Sequence, residues 1–221
     1  MVRGRLTARY DAAMDLATAT DTILRSGRRL GARGLISAGE GNLSVRLDRS
    51  RLLVTPSGRR KDELEADDLV IVRTDHPEAQ PSSRSGLRPS SDLAIHLAVY
   101  AGRGDVGAVA HAHLPASMAL TLAGEVPDPT ALPETALFLP RLPYLAFGAM
   151  GSQELADRIA AALTGPPEPL PGGVLLERHG AVCVGDDLPT AIDRLELVEV
   201  LCRTWRDSLL IRAAQATLGM V

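Results

Sequence analysis

Val106-Gly107-Ala108-Val109-Ala110-His111-Ala112-His113 (VGAVAHAH) is the stretch on which the reading of the fold turns. Its apolar part, residues 106–110, is too short for a buried helix and reads as a strand that runs straight into the histidines. In a strand, residues i and i+2 point to the same face. His111 and His113 can therefore aim both imidazoles at one point.

Working outward toward the N-terminus, residues 89–103 (PSSDLAIHLAVYAGR) predict a helix of about three turns, with Ser90 or Ser91 as its N-cap and Leu93, Leu97 and Tyr100 along one face. Residues 76–88 are rich in Pro, Ser and Gly and read as a loop. Residues 43–47 and 51–54 suggest a hairpin, and residues 69–72 a further buried strand. Residues 37–42 (SAGEGN) and 55–58 (TPSG) are turns. Residues 6–30 carry apolar side chains at helical spacing, with Gly31 and Gly34 expected to end that helix.

Toward the C-terminus, residues 114–123 predict a helix with Pro115 tolerated in its first turn. Residues 126–144 hold five prolines and read as an irregular crossover with a strand near its end. Gly151-Ser152 starts a helix running to about residue 163, and residues 164–173 form a loop. Strands at 174–176 and 181–184 flank Arg178-His179-Gly180, and a long helix closes the chain from 188 to about 214. Helices alternate with strands, yet several neighbouring strands are joined by tight turns. That pattern predicts an α/β fold with a mixed, mostly antiparallel central sheet covered by helices, and no Rossmann fold. No G-x-G-x-x-G follows a strand, and nothing divides residues 1–221 into more than one domain.

Composition narrows the function. Hydrophobic residues make up 45% and charged residues 23% of 221, which is globular, and a net charge of −3 does not suit a nucleic-acid binder. Lys61 is the only lysine in an arginine-rich chain, a bias that resembles high-GC coding, so isolated arginines carry little weight. Cys183 and Cys202 form neither a short metal pair nor a disulfide framework and read as buried, reduced thiols. No signal-peptide core and no run of about 18 apolar residues is present, so the expectation is a cytoplasmic chain without a membrane span.

His179 also follows a strand closely, so it can converge on His111 and His113 if the two strands are neighbours. Three neutral imidazoles with an open position suit zinc. The alternative is chance, or histidines that satisfy core hydrogen bonds. His96 lies one turn after Asp92 and reads as a structural or supporting residue, and His76 as solvated. Asp92 in a first helical turn is favourable to the helix dipole, and that reading leads on pattern alone; the other is a general acid/base or a displaceable fourth ligand. The turns at Gly41-Asn42 with Ser44, at 55–58 and at 89–91 are each ordinary, yet together they could cradle a phosphate.

The ordered set Gly41-Asn42-Leu43-Ser44, Thr55-Pro56-Ser57-Gly58, Pro89-Ser90-Ser91-Asp92, His96, Tyr100, His111-Ala112-His113, Gly151-Ser152 and His179-Gly180, with Val198-Glu199-Val200-Leu201 in the last helix, resembles the class II aldolase/adducin family, which includes fuculose-phosphate aldolase. The resemblance implies a mostly antiparallel sheet between helical layers, assembled as a cyclic homotetramer with active sites between subunits. It implies zinc or another divalent metal on His111, His113 and His179, a catalytic carboxylate at Asp92, and a substrate phosphate bound by Asn42, Ser57, Gly58, Ser90 and Ser91. The implied reaction is retro-aldol cleavage of a ketose 1-phosphate through a metal-stabilised enediolate. Decarboxylation of a phosphorylated 3-oxo sugar acid, pentulose-phosphate 4-epimerisation and a non-catalytic adducin-like role are the alternatives, with a metallohydrolase open on the histidines alone. Two departures bear on the substrate. Asp92 stands where many members carry Glu, and residues 127–139 lack the tyrosine that fuculose-phosphate aldolase uses; Glu134 there is a substitute or, preferred on pattern, a loop charge.

Overall fold

The strand that carries the first histidine, β4 (Ala108–Ala112), lies at the centre of a seven-stranded sheet in the computed structural model, which describes residues 14–76 and 82–219. The other strands are β1 (Asn42–Arg46), β2 (Arg51–Val54), β3 (Val70–Arg73), β5 (Tyr144–Leu145), β6 (Gly173–Leu176) and β7 (Gly180–Gly185), in the order β3-β2-β1-β4-β7-β6-β5. All pairs are antiparallel except β5 with β6. The sheet is thus mixed and mostly antiparallel, as the tight turns between neighbouring strands predict.

Among the described residues six α-helices cover it: α1 (Leu16–Ala32), α2 (Leu93–Gly102), α3 (Pro115–Leu122), α4 (Pro133–Phe138), α5 (Gln153–Thr164) and α6 (Leu188–Thr217). The period-2 alternation of the strands sorts the core into two layers. On β4, Ala108, Ala110 and Ala112 join a cluster with Ile23 and Leu30 of α1, Leu120 of α3 and Ile192, Leu195 and Val198 of α6. Val109 joins the opposite cluster, with Ile95 and Val99 of α2 and Leu155, Ile159 and Leu163 of α5. The alanines let α3 and α6 lie close on one face, and each fully buried Leu or Ile contributes about 1.5–3 kcal/mol there. Among the described residues no helix is long and apolar enough to cross a membrane.

Four expectations change. The first helix begins at Leu16, capped by Asp15, whose side chain accepts from the Thr18 N–H, so Met14 and Asp15 are not helical; residues 6–13 of that expectation lie outside the described residues. Gly31 does not end α1, because it is an interior notch: a Cβ there would stand 2.6 Å from the Asp62 Cβ. Neither Ser90 nor Ser91 caps α2, since Asp92 occupies the cap position and Ser90 Oγ accepts from the Asp92 N–H at 3.2 Å. Residues 126–144 are more regular than their prolines suggest, with a 3-10 turn at Pro129–Ala131 and then α4, where Pro133 at the first helical position needs no N–H partner.

Candidate metal centre

His111 sits inside β4, paired with Asn42 of β1 on one side and Val182 of β7 on the other, one residue deeper than the strand expected to end at Ala110. Its side chain is fully buried. Its Nδ1 lies 2.9 Å from the Ala181 carbonyl, which can only accept, so Nδ1 carries the proton and Nε2 keeps its lone pair. His113 follows the strand and precedes α3, half-buried, with Nδ1 3.3 Å from Glu40 Oε2.

His179 arrives from the β6–β7 turn. Gly180 there has φ +92, and a Cβ on it would stand 2.1 Å from the Ala112 carbonyl oxygen. Only glycine permits that approach, which brings the turn onto the end of β4. The turn is also tied to α3 by a hydrogen bond from the Arg178 N–H to Thr121 Oγ1 at 2.9 Å. The ring centroids of the three histidines stand 4.7–5.0 Å apart, and one nitrogen from each lies within 4.8 Å of the others.

These residues fit a divalent metal. His111 Nε2 and both nitrogens of His179 are buried with no hydrogen-bond partner, an arrangement that costs free energy unless something else binds them. Burial, with the neighbouring imidazoles of His179 and His113, pushes His111 down to about 3. Burial first, and then His113, lowers His179 as well. Neutral imidazoles at neutral pH offer the lone pairs that a metal needs.

Asp92 stands beside this cluster, Oδ2 4.0 Å from His111 Nε2. Its side chain makes no cap hydrogen bond, so the helix-dipole reading does not describe what the carboxylate touches. Oδ2 accepts from Asn42 Nδ2 at 2.9 Å and Oδ1 from the Gly151 N–H at 3.2 Å. Behind Asn42 runs a buried chain of donors. His96 Nε2 lies 2.6 Å from Asn42 Oδ1, Ser44 Oγ lies 2.6 Å from His96 Nδ1, and the Tyr100 hydroxyl lies 2.9 Å from Ser44 Oγ. With His96 neutral, burial pushing it down to about 4, Ser44, His96 and Asn42 donate in turn toward Asp92, and the Tyr100 hydroxyl donates to the Ser44 carbonyl at 3.2 Å. His96 is therefore a support for the carboxylate.

A cavity of about 210 Å³ opens in front of His113 and Asp92, lined also by Asn42, Ser57, Gly58, Ser90 and Ser91. All five residues assigned by resemblance to phosphate binding thus share one wall. The TPSG and PSSD loops are joined by Ser57 N–H to the Arg88 carbonyl and Ser90 N–H to the Thr55 carbonyl, both at 3.1 Å. The hydroxyls of Ser57 and Ser91 make no hydrogen bond among the described residues.

Two residues of this wall escape a reading of the sequence. Glu40 is one more acid in a Gly-rich turn, and its proximity to His113 is a long-range contact. Lys61 is buried in the same cavity, and its solitude among arginines is the signal that pattern reading set aside as coding bias. Glu134, by contrast, is not a loop charge. It stands in the first turn of α4 and lines a separate groove with Phe138 and residues of α6.

Residues 21–206 match the family described as Class II Aldolase and Adducin N-terminal domain. The chain is 34% identical over 195 residues to methylthioribulose-1-phosphate dehydratase of Acidiphilium cryptum, covering 84% of this chain and 89% of that one. It is 30% identical over 184 residues to 3-oxo-tetronate 4-phosphate decarboxylase of Haemophilus influenzae, covering 81% and 82%. The crystal structure of L-fuculose-1-phosphate aldolase from Thermus thermophilus superposes with a TM-score of 0.74 at 27% identity, covering 90% and 97%. The chain belongs to the class II aldolase/adducin family.

Proposed function

We propose that this protein is a metal-dependent lyase acting on a ketose 1-phosphate, with retro-aldol cleavage as its reaction. The observation that carries the reading is the set of partnerless imidazole nitrogens on His111 and His179, next to a carboxylate and a wall of hydroxyls. A divalent metal, zinc in the first instance, held by His111, His113 and His179 would polarise the substrate carbonyl and stabilise an enediolate.

The chain's own residues supply the rest. Asn42 and the Gly151 N–H hold Asp92 as a carboxylate facing the cluster, where it can take a proton. In retro-aldol cleavage that proton comes from the hydroxyl β to the carbonyl, the bond between the α and β carbons breaks, and the α carbon is then protonated. The hydroxyls of Ser57 and Ser91, with Gly58, Ser90 and Asn42, are proposed to bind the phosphate. The cavity is small, about 210 Å³, and polar side chains make up much of its lining.

Dehydration is the second reading, favoured by the dehydratase relative. The same carboxylate then takes the proton on the α carbon, and the β hydroxyl leaves as water. Decarboxylation of a phosphorylated 3-oxo acid has the support of the second relative. The assembly proposed with these readings is a homotetramer; the exposed Leu137 and Phe138 of α4 and Val200 of α6 offer apolar surface for a subunit contact.

The test is product analysis. Metal-loaded protein is given fuculose 1-phosphate, methylthioribulose 1-phosphate and 3-oxo-tetronate 4-phosphate in turn. Release of an aldehyde is the expected result, a dicarbonyl phosphate supports dehydration, and carbon dioxide supports decarboxylation. A sample with one metal per chain that converted no phosphorylated ketose or 3-oxo acid would overturn the lyase reading.

A further inference from the structure

Of the 24 cationic Lys and Arg side chains, Lys61 alone is a lysine, and it lines the cavity beside the histidines. It is 2% exposed. No arginine lines that cavity, whereas the carboxylates of Glu40 and Asp92 do. A phosphate dianion entering there meets two negative charges, with Lys61 as the only fixed positive side chain on the wall among the described residues.

The fold is shaped to put the ammonium in place. Lys61 Nζ donates to the Gly39 carbonyl at 2.7 Å and to the Arg59 carbonyl at 2.6 Å. Gly39 precedes Glu40, and Arg59 follows Gly58, so the ammonium ties together two loops of the cavity wall. The segment is seated against α1 at two glycines one turn apart. A Cβ at Gly27 would stand 2.0 Å from the Lys61 carbonyl oxygen, and one at Gly31 would stand 2.6 Å from the Asp62 Cβ. An ammonium has three N–H donors, and two are spent on carbonyls. Burial pushes Lys61 down to about 8, opposed by Glu40 and Asp92, so it stays mostly charged at neutral pH. A compact point charge fits between two carbonyls in a way that a planar guanidinium does not, which gives a reason for this one lysine in an arginine-rich chain.

We propose that Lys61 is a phosphate-binding residue of the active site: its third N–H, with the Ser57 and Ser91 hydroxyls, holds the substrate's phosphate and selects phosphorylated over unphosphorylated ligands. This deepens the functional reading above and rests on it for the substrate class.

Because Lys61 is unique, isotope-labelled lysine gives a single side-chain resonance in the metal-loaded protein. Inorganic phosphate is titrated against it. The expected result is a saturable shift of the Nζ signal, together with phosphate affinity at least about tenfold weaker in Lys61→Met and a KM for the ketose phosphate raised by a similar factor, with metal content unchanged and kcat changed far less. The proposal is overturned if the signal stays fixed while phosphate saturates the wild-type site, or if Lys61→Met binds phosphate as tightly as wild type. Those outcomes leave the lyase reading standing. Wild-type protein that binds no phosphate overturns both the role of Lys61 and the phosphate wall. The resonance titration needs no variant, so poor folding of Lys61→Met does not remove the test.

Discussion

At the scale of single residues, Asp92 is the most instructive. A carboxylate at a helix start is ordinarily explained by the dipole, yet here it makes no cap bond and its two oxygens accept from Asn42 and from the Gly151 N–H. Asp92→Asn keeps the size and loses the base. The expected outcome is a fall in kcat of about 10²- to 10⁴-fold with metal content retained, checked by turnover and metal analysis on one preparation. His113→Ala should instead empty the metal site, since two imidazoles remain of three, and activity should fall with occupancy. The histidines were legible in the sequence because strand periodicity says where i and i+2 point. The position of Asp92 was legible, but not its orientation, because that is set by Asn42, fifty residues away in the chain. Lys61 and Glu40 were not legible, because their partners are backbone carbonyls and a remote histidine, which leave no local pattern.

At the scale of elements, the β6–β7 turn delivers the third ligand. Gly180→Ala forces a Cβ into the Ala112 carbonyl and asks an alanine to adopt φ +92. The variant should lose at least about 2 kcal/mol of stability in chemical denaturation. Its metal affinity should fall about 10- to 100-fold, because His179 moves with the turn. A variant that kept wild-type metal affinity would mean that the turn does not place His179. The same local logic explains which elements the sequence hid. Five prolines masked α4, although Pro133 starts it and does not break it. Two serines looked like caps for α2, yet Ser90 spends its oxygen on the Asp92 N–H and Ser91 leaves its hydroxyl to the cavity.

At the scale of the whole molecule, the sheet order was within reach only in outline. Short turns identify β1–β2 and β6–β7 as hairpins, but the pairings of β4 with β1 and β7 join segments that are far apart in the chain. Those pairings bring Asn42, His111 and His179 together, so the site is a product of the topology. The buried histidines also set a pH dependence. His96 is pushed down to about 4 and His111 to about 3, so between pH about 6.5 and 4 the unfolded chain binds protons that the folded chain refuses. The histidines' contribution to stability should therefore be full above pH about 6.5 and fall as pH drops through that window, by roughly 3 kcal/mol from His96 alone at most. The carboxylates lowered by hydrogen bonds, such as Asp105 beside Arg103, act below that window, since their ordinary value is already 3.8. Urea denaturation of metal-free protein at pH 7.5, 6 and 5 checks the sign, and a flat or rising series would contradict it.

The central claim is that the three-histidine cluster and its neighbours form a metal-dependent lyase site for a ketose phosphate. Phosphorus NMR of the metal-loaded protein with the ketose 1-phosphates named above tests it most directly, run beside His179→Ala. The account predicts that the substrate resonance is replaced by that of a new phosphate ester with the wild-type protein and persists with the variant. Persistence of the substrate with fully metal-loaded wild-type protein, or equal conversion by both proteins, would contradict it.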